Sequence, residues 1–446
     1  MREAESREFH RIGIIGMGYV GLTLAAAMAR KGYEVHGVDV QPSVLESLGQ
    51  GRAHVYEPGV DDTFARLVGK NIFIASELPD EPVDAAIICV STPVDEATRE
   101  PFLKNLAAAA EQVADRCTPD TLVVVRSTVP VGTSRAVVLP PLTHAWGGAR
   151  LVMAPERTVQ GRALRELLEL PQVVGGLDEE SLRLGLALFG GLAKEVVPVS
   201  SLEAAELVKL TNNCHTDVIF AFGNEVAELT ERFGLDPLEV IRAANLDYPR
   251  PDIHKPGYVG GGCLSKDPYL MSSGAERVGY VPQLVGAARR LNEDLPANVA
   301  NKVVDMMRET GGTTLTVLGW AYKGWPPTDD MRGTPIETMM PVFAASGLRV
   351  LGHDPLVGAD VIRAYGGEPV DLHTGFHDAD AVLVITDHPE YRDLDVGPEL
   401  DGSHVRLVFD SWRILDATEI TARGVRYAGL GYLPETTAPP VPAVTT

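Results

Sequence analysis

The chain has 446 residues, enough for two to four domains of ordinary size, and 45% apolar with 22% charged residues excludes wholesale disorder. Lys and Arg number 39 against 61 Asp and Glu, a net charge of −22 that argues against nucleic acid or a membrane surface as partner. A small anionic substrate is still admitted, because a few fixed cations in a cleft outweigh a distant net field.

The opening residues, MREAESREFH, form a charged tail over 1–10 with no secretory apolar run. No stretch is long and apolar enough to span a bilayer, so a cytoplasmic setting is expected. Residues 11–16 (RIGIIG) read as a strand ending in glycines, with a helix following through Arg30. Further strands are expected over 33–40, 84–90, 121–127 and 150–155, with a helix near 104–116. Strands alternating with helices predict a parallel sheet, and this character holds over 11–199.

From Ser200 to Phe233 there is no proline and one glycine, so a single helix of roughly 50 Å is expected, stopping at Gly234. Ser200 and Glu203 have capping-box spacing. Helical patterns continue to 310, and strands over 314–320, 348–355, 380–386 and 405–411 predict a second α/β domain over 311–433. The tail 434–446 is rich in proline and threonine and is expected to be disordered. The fold class is therefore α/β: two Rossmann-like, doubly wound domains joined by a long helix within a helical domain over 200–310.

Gly16-Met17-Gly18-Tyr19-Val20-Gly21 follows a strand and opens a helix, where glycines let backbone approach a pyrophosphate at a positive helix N-terminus. Asp39 ends the second strand, 18 residues beyond Gly21, where a carboxylate accepts from a ribose hydroxyl and repels a 2′-phosphate. NAD is the expected cofactor.

The segment from Lys255 to Pro268 carries four glycines within the six residues before Cys263, namely Gly257, Gly260, Gly261 and Gly262. A helix starting there would favour a thiolate, although a glycine turn with an incidental cysteine has the same composition. Cys89, Cys117 and Cys214 read as core. No Cys or His cluster has metal-ligand spacing, so no metal is expected. Lys209 and Asn213 share a helix face, a spacing that a solvated lysine with a polar neighbour also gives. Glu156 and Arg157 follow one strand, and Arg126 and Thr128 the preceding one. Tyr322, Lys323 and Arg332 follow a strand of the last domain, as does Arg413. Cations after strands in so acidic a chain suit an anion such as a diphosphate, with scattered surface arginines the alternative.

Taken in order, GIIGMGYVGL, VSTPVD, RSTVPVGT, APER, ELVKLTNN, PGYVGGGCLSKD, WAYKGWPPTDDMRGTP and VLGHDP resemble the UDP-glucose/GDP-mannose dehydrogenase family over residues 11 to 432. The resemblance implies oxidation of a sugar C6 alcohol to a carboxylate with two NAD and one water, through a thiohemiacetal and a thioester on Cys263. It implies that Lys209 and Asn213 steady oxygen charge, Asp267 supports water or lysine, Glu156 assists hydrolysis and Thr128 holds the water. Ser91, Thr92, Thr128 and Lys266 join Gly16, Gly18, Tyr19, Val20, Gly21 and Asp39 at the cofactor. Glu156, Arg157, Lys209, Asn213, Gly257, Gly260, Gly261, Tyr322, Lys323, Arg332 and Arg413 would hold the nucleotide sugar, with Arg250 reaching a neighbouring subunit in a homodimer built on the long helix.

Departures from the family pattern are Gln160 in place of a second acid, Ser265 in place of proline, Gly262 before the cysteine, and a lengthened loop carrying Trp325. The P-E-R segment favours UDP-N-acetyl-mannosamine or UDP-N-acetyl-glucosamine, with UDP-glucose the runner-up. The Gly262 slot and Trp325 leave room for an unusual substituent. Partial oxidation, or binding of NAD and nucleotide sugar alone, are the other readings. A two-electron hydroxyacid dehydrogenase needs neither the thiol nor the third domain.

Overall fold

The computed structural model describes residues 9–249 and 252–433, which leaves Arg250, most of the N-terminal tail and the tail 434–446 outside it. The chain divides into two compact units, one holding residues up to Asn213 with Lys266–Pro282, the other Cys214–Ser265 with Gln283 onward.

In the first unit, strands β1 (Arg11–Ile15), β2 (Glu34–Val38), β3 (Ile72–Ala75), β4 (Ala85–Ile88), β5 (Leu122–Val125), β6 (Arg150–Met153), β7 (Gln172–Gly176) and β8 (Val196–Val199) form one sheet in the order β3-β2-β1-β4-β5-β6-β7-β8. β4 and β5 are buried at every residue because helices cover both faces, which is why they read as unbroken apolar runs. The expected parallel sheet has one exception, since β7 runs antiparallel to β6. Strand order reverses between β1 and β4, and ligands of such sheets bind outside the carboxyl ends at that point.

In the second unit, β9 (Thr314–Leu318), β10 (Arg349–His353), β11 (Glu368–Pro369), β12 (Ala381–Val384), β13 (Leu407–Asp410) and β14 (Arg426–Ala428) form an all-parallel sheet in the order β11-β10-β9-β12-β13-β14. Its switch point lies between β9 and β12. The helix Gln283–Thr310 lays Leu295, Val299, Val303 and Met307 against Leu315, Phe343 and Phe409 in one core. Each such side chain contributes roughly 1.5–3 kcal/mol by leaving water.

The central helix Leu202–Phe233 has 32 residues and is therefore about 48 Å long. Its cap corrects the expectation: the Ala204 N–H donates to the Ser201 hydroxyl at 3.2 Å, and Glu203 turns to Arg135 at 2.7 Å instead of closing a box with Ser200. Gly234, at φ +66°, ends the helix, and the Leu235 N–H returns to the Thr230 carbonyl at 2.9 Å. Among the described residues no helix is long and apolar enough to cross a membrane.

Candidate active site

In the first unit the cofactor loop is shaped by sterics. Gly16 has φ +91°, and a Cβ on Gly21 would stand 1.9 Å from the Gly16 carbonyl oxygen, so only glycine permits this strand-to-helix turn. Gly18 caps the helix Tyr19–Arg30 with no side-chain bond and is exposed, which leaves the first-turn N–H groups to a ligand. Asp39 accepts from the Met17 N–H at 2.8 Å and the Gln41 N–H at 2.9 Å, so its carboxylate is held against the glycine turn. A dinucleotide fits this set: free amides at a helix start, no Cβ in the way, and an acid at the second strand's end.

Tyr19 opens the helix, and its side chain is engaged by an acid. Its hydroxyl donates to the buried Glu57 at 2.5 Å, and Glu57 also accepts from the N–H groups of Gly161 and Ala163 at 2.7 and 2.8 Å. Sequence reading missed Glu57, yet it brings a carboxylate to the loop where Gln160 lacks one. Val20, beside Tyr19, is half-buried and packs on the core of this unit.

The loops after β4 and β5 are stitched together. The Thr92 hydroxyl donates to the Thr128 carbonyl at 2.6 Å and the Ser127 hydroxyl to the Val90 carbonyl at 2.7 Å, while exposed Ser91 accepts from Asn105. Thr128 is thereby fixed at the carboxyl edge of the sheet. After β6, buried Glu156 accepts from the Arg157 and Thr158 N–H groups, each at 2.7 Å, and from Arg126 at 2.5 and 3.1 Å. Burial pushes the Glu156 carboxyl up, but Arg126 and the Thr158 amide outweigh it and hold the group below its ordinary range. The Arg157 guanidinium donates to the Pro171 carbonyl at 3.2 Å.

On the central helix, Lys209 is 7% exposed and, among the described residues, has no hydrogen-bond or ion-pair partner; its charge reaches Glu156. Asn213 donates to Asp267 at 2.5 Å and Lys266 donates to the same buried carboxylate at 2.6 Å. The predicted cofactor residue Lys266 is thus part of the Asp267 pair.

In the second unit, the glycine turn is dictated by its neighbours. Added Cβ atoms would meet the Trp412 ring at 2.4 Å from Gly257, the Gly333 carbonyl oxygen at 2.1 Å from Gly260, the Tyr322 ring at 2.8 Å from Gly261, and the Arg332 guanidinium at 2.9 Å from Gly262. The last contact corrects the idea of an open slot at Gly262, because Arg332 fills it. The helix at the cysteine is a single turn, Gly261–Leu264, rather than a full helix with a developed dipole. A cation, Arg332, packs over Gly262 beside Cys263. Cys263 is exposed, whereas burial pushes Cys89 up to about 12 and Cys117 up to about 11, and Cys214 is buried.

Ser265 donates to the Gly261 carbonyl at 2.7 Å and so closes the turn where a proline was expected. The predicted anion-binding residues are already engaged. Arg332 forks onto Asp330 at 2.6 Å, Arg413 pairs with Asp236 at 2.6 Å and lies over the Tyr432 ring, and Lys323 lies over the Tyr322 ring. Among the described residues no three His, Cys, Asp or Glu side chains converge as a metal site.

The family's NAD-binding domain matches residues 10–192, its central domain 203–294 and its UDP-binding domain 316–417. A UDP-N-acetyl-D-mannosamine dehydrogenase of Pyrococcus horikoshii is 33% identical, over 94% of this chain and 99% of its own. A solved structure of a UDP-D-ManNAc dehydrogenase from that organism matches with a TM-score of 0.85 at 31% identity, over 95% of this chain and 100% of that one. A UDP-glucose dehydrogenase structure from Pyrobaculum islandicum matches with a TM-score of 0.83 at 29% identity, over 96% of this chain and 99% of that one. The chain belongs to the UDP-glucose/GDP-mannose dehydrogenase family, and is an NAD-dependent nucleotide-sugar dehydrogenase.

Proposed function

We propose that this enzyme oxidises the C6 hydroxymethyl group of a UDP-N-acetylhexosamine, with UDP-N-acetyl-mannosamine preferred, to the carboxylate in two two-electron steps. The observation that carries the reading is the exposed thiol of Cys263 on its glycine turn, beside the Arg332 cation. The P-E-R segment at 155–157 and the mannosamine dehydrogenases among the relatives support the amino sugar. UDP-glucose is the second reading, supported by the Pyrobaculum likeness.

The turn at Gly16–Gly21 with Asp39 would hold NAD, which would supply the acceptor for the electron pair of each oxidation. Lys209 is buried and without a hydrogen-bond or ion-pair partner among the described residues, so its side chain would stabilise the C6 oxygen as charge develops there. Asn213, aimed by Asp267, would share that oxygen. The Cys263 sulfur adds to the C6 aldehyde, and the thiohemiacetal stays on the protein until the second oxidation leaves a thioester. Water then replaces sulfur at the acyl carbon. Thr128 would hold that water, while Glu156, kept ionised by Arg126, would orient it. Arg157, Tyr322, Lys323, Arg332 and Arg413 would meet the nucleotide part once their present partners yield.

A homodimer through the central helix is part of the same reading. Phe222, Leu229 and Phe233 are 52, 53 and 51% exposed on that helix, an apolar face that water does not favour. A cytoplasmic setting agrees with four cysteines that form no disulfide among the described residues.

The test is a panel of UDP-, GDP- and TDP-sugars with NAD, followed by NADH formation and by mass analysis of the product. A uronate from a UDP-N-acetylhexosamine at the highest kcat/KM is expected. Preference for UDP-glucose would select the second reading, and turnover of none of the panel would overturn both.

A further inference from the structure

The turn that carries Cys263 is short of side chains and rich in glycine, the residue with the most backbone freedom to lose. A thiol that must meet an aldehyde at bonding distance cannot sit on a loose loop. Local contacts with Tyr322, Arg332 and Gly333 shape its middle. Its two ends are held by something sequence reading passed over.

At the start, Asn224 of the central helix reads the peptide of Gly257 from both sides: the Gly257 N–H donates to its Oδ1 at 2.8 Å, and its Nδ2 donates to the Gly257 carbonyl at 3.0 Å. The same Nδ2 donates to Asn292 Oδ1 at 2.9 Å. Asn292 Nδ2 in turn donates to Asp217, reaching Oδ1 and the backbone carbonyl, each at 2.9 Å. Asp217 Oδ1 accepts from Arg289 Nη1 at 2.8 Å, and that nitrogen also donates at 2.8 Å to the carbonyl of Leu264, the residue after Cys263.

One unbroken chain of hydrogen bonds therefore leaves the turn at Gly257 and returns to it at Leu264. It passes only through Asn224, Asn292, Asp217 and Arg289, none more than 3% exposed. Buried polar groups are kept where they are satisfied by specific partners, and a network closed on both ends of one loop fixes that loop's geometry. Asp217 Oδ2 has no hydrogen-bond partner, and Arg289 Nε faces Glu293 at 3.6 Å. Pure stabilisation would be served as well by apolar residues of the same volume.

We propose that Asp217 and Arg289 are positioning residues, whose ion pair anchors the Leu264 carbonyl and thereby places the Cys263 sulfur for attack. The proposal rests on the reading of Cys263 as nucleophile. Neither residue touches substrate in this scheme; both act through the turn.

The experiment uses the full-length enzyme with NAD and its best UDP-sugar, and compares wild type with Arg289→Gln and with the double variant Asp217→Asn, Arg289→Met. The double variant leaves no unpaired charge in the fully buried network, Glu293 being part-exposed to water, and so keeps the fold should the single one fail to. Three readouts are taken: the pH profile of Cys263 alkylation by iodoacetamide, NADH formed per sugar consumed, and kcat against KM. The expected result is a displaced alkylation profile, NADH falling from two toward one per sugar with free aldehyde, and kcat reduced about tenfold or more at nearly unchanged KM.

A wild-type alkylation profile with two NADH per sugar in a folded variant would overturn the proposal. Cys263→Ala is run beside them. If that variant still makes uronate, the nucleophile reading falls, and the alkylation profile alone still decides whether the ion pair places the sulfur.

Discussion

Arg126 and Glu156 face each other in a dry interior, with Nη2 2.5 Å from Oε2 and side-chain exposures of 0 and 7%. Removing one partner of such a pair strands the other. Arg126→Leu strands the carboxylate and Glu156→Gln strands the guanidinium, so each should destabilise the first unit by about 3–5 kcal/mol in chemical denaturation.

The same pair sets an acid limb. Glu156 has a depressed native pKa, so its contribution stands in full above the unfolded carboxylate value of about 4.3 and is lost as pH falls through the lower native one. Denaturation midpoints between about pH 4 and 2 should therefore fall less steeply for Glu156→Gln than for wild type. Parallel curves would contradict the ion pair's role.

Cofactor choice should follow Asp39. Its carboxylate repels a 2′-phosphate and also accepts from the Met17 and Gln41 amides. Asp39→Asn should weaken NAD binding and raise the NADP/NAD preference about tenfold, roughly 1.4 kcal/mol, by kcat/KM with each cofactor. An unchanged preference would show that the acid does not face the ribose.

Gly21→Ala presses a methyl into backbone at 1.9 Å, a contact that no side-chain rotation relieves. NAD affinity should drop at least about tenfold by calorimetry, with Gly18→Ala, whose Cβ meets nothing within 4 Å, much milder. Equal effects would remove the steric argument.

Much of this architecture was legible in the chain. Strands buried on both faces, such as β1, β4, β5 and β9, announce themselves as apolar runs before glycine or turn residues. Others stayed hidden for physical reasons. β7 (QVVGG) contains a polar residue and two glycines, β8 includes Pro198, and β11 has two residues, so none carries a periodic signal. The glycine loop, Asp39 and Cys263 were readable because their chemistry is local. Glu57 was not, because it meets Tyr19 and Ala163 only through the fold. Asp217 and Asn292 lie 75 residues apart, and on helices of mixed polarity each looks like a solvated side chain. The predicted cap fell one residue off, at Ser201 rather than Ser200, the scale on which helix ends fray, and Ala204 three residues on cannot close a box.

The cysteines should separate cleanly. Cys214→Ala removes a buried atom from the central helix and should leave turnover near wild type, whereas Cys263→Ala should abolish uronate formation with NAD affinity little changed. Loss of activity in a folded Cys214→Ala would mean that the wrong thiol was chosen.

The most direct measurement is to quench the enzyme in acid during turnover with its UDP-sugar and NAD, then map the covalent adduct by peptide mass spectrometry. An acyl-sugar mass on the peptide containing Cys263, absent without NAD, is the predicted result. Uronate formed at full rate with that peptide never modified, or with the adduct elsewhere, would contradict the account.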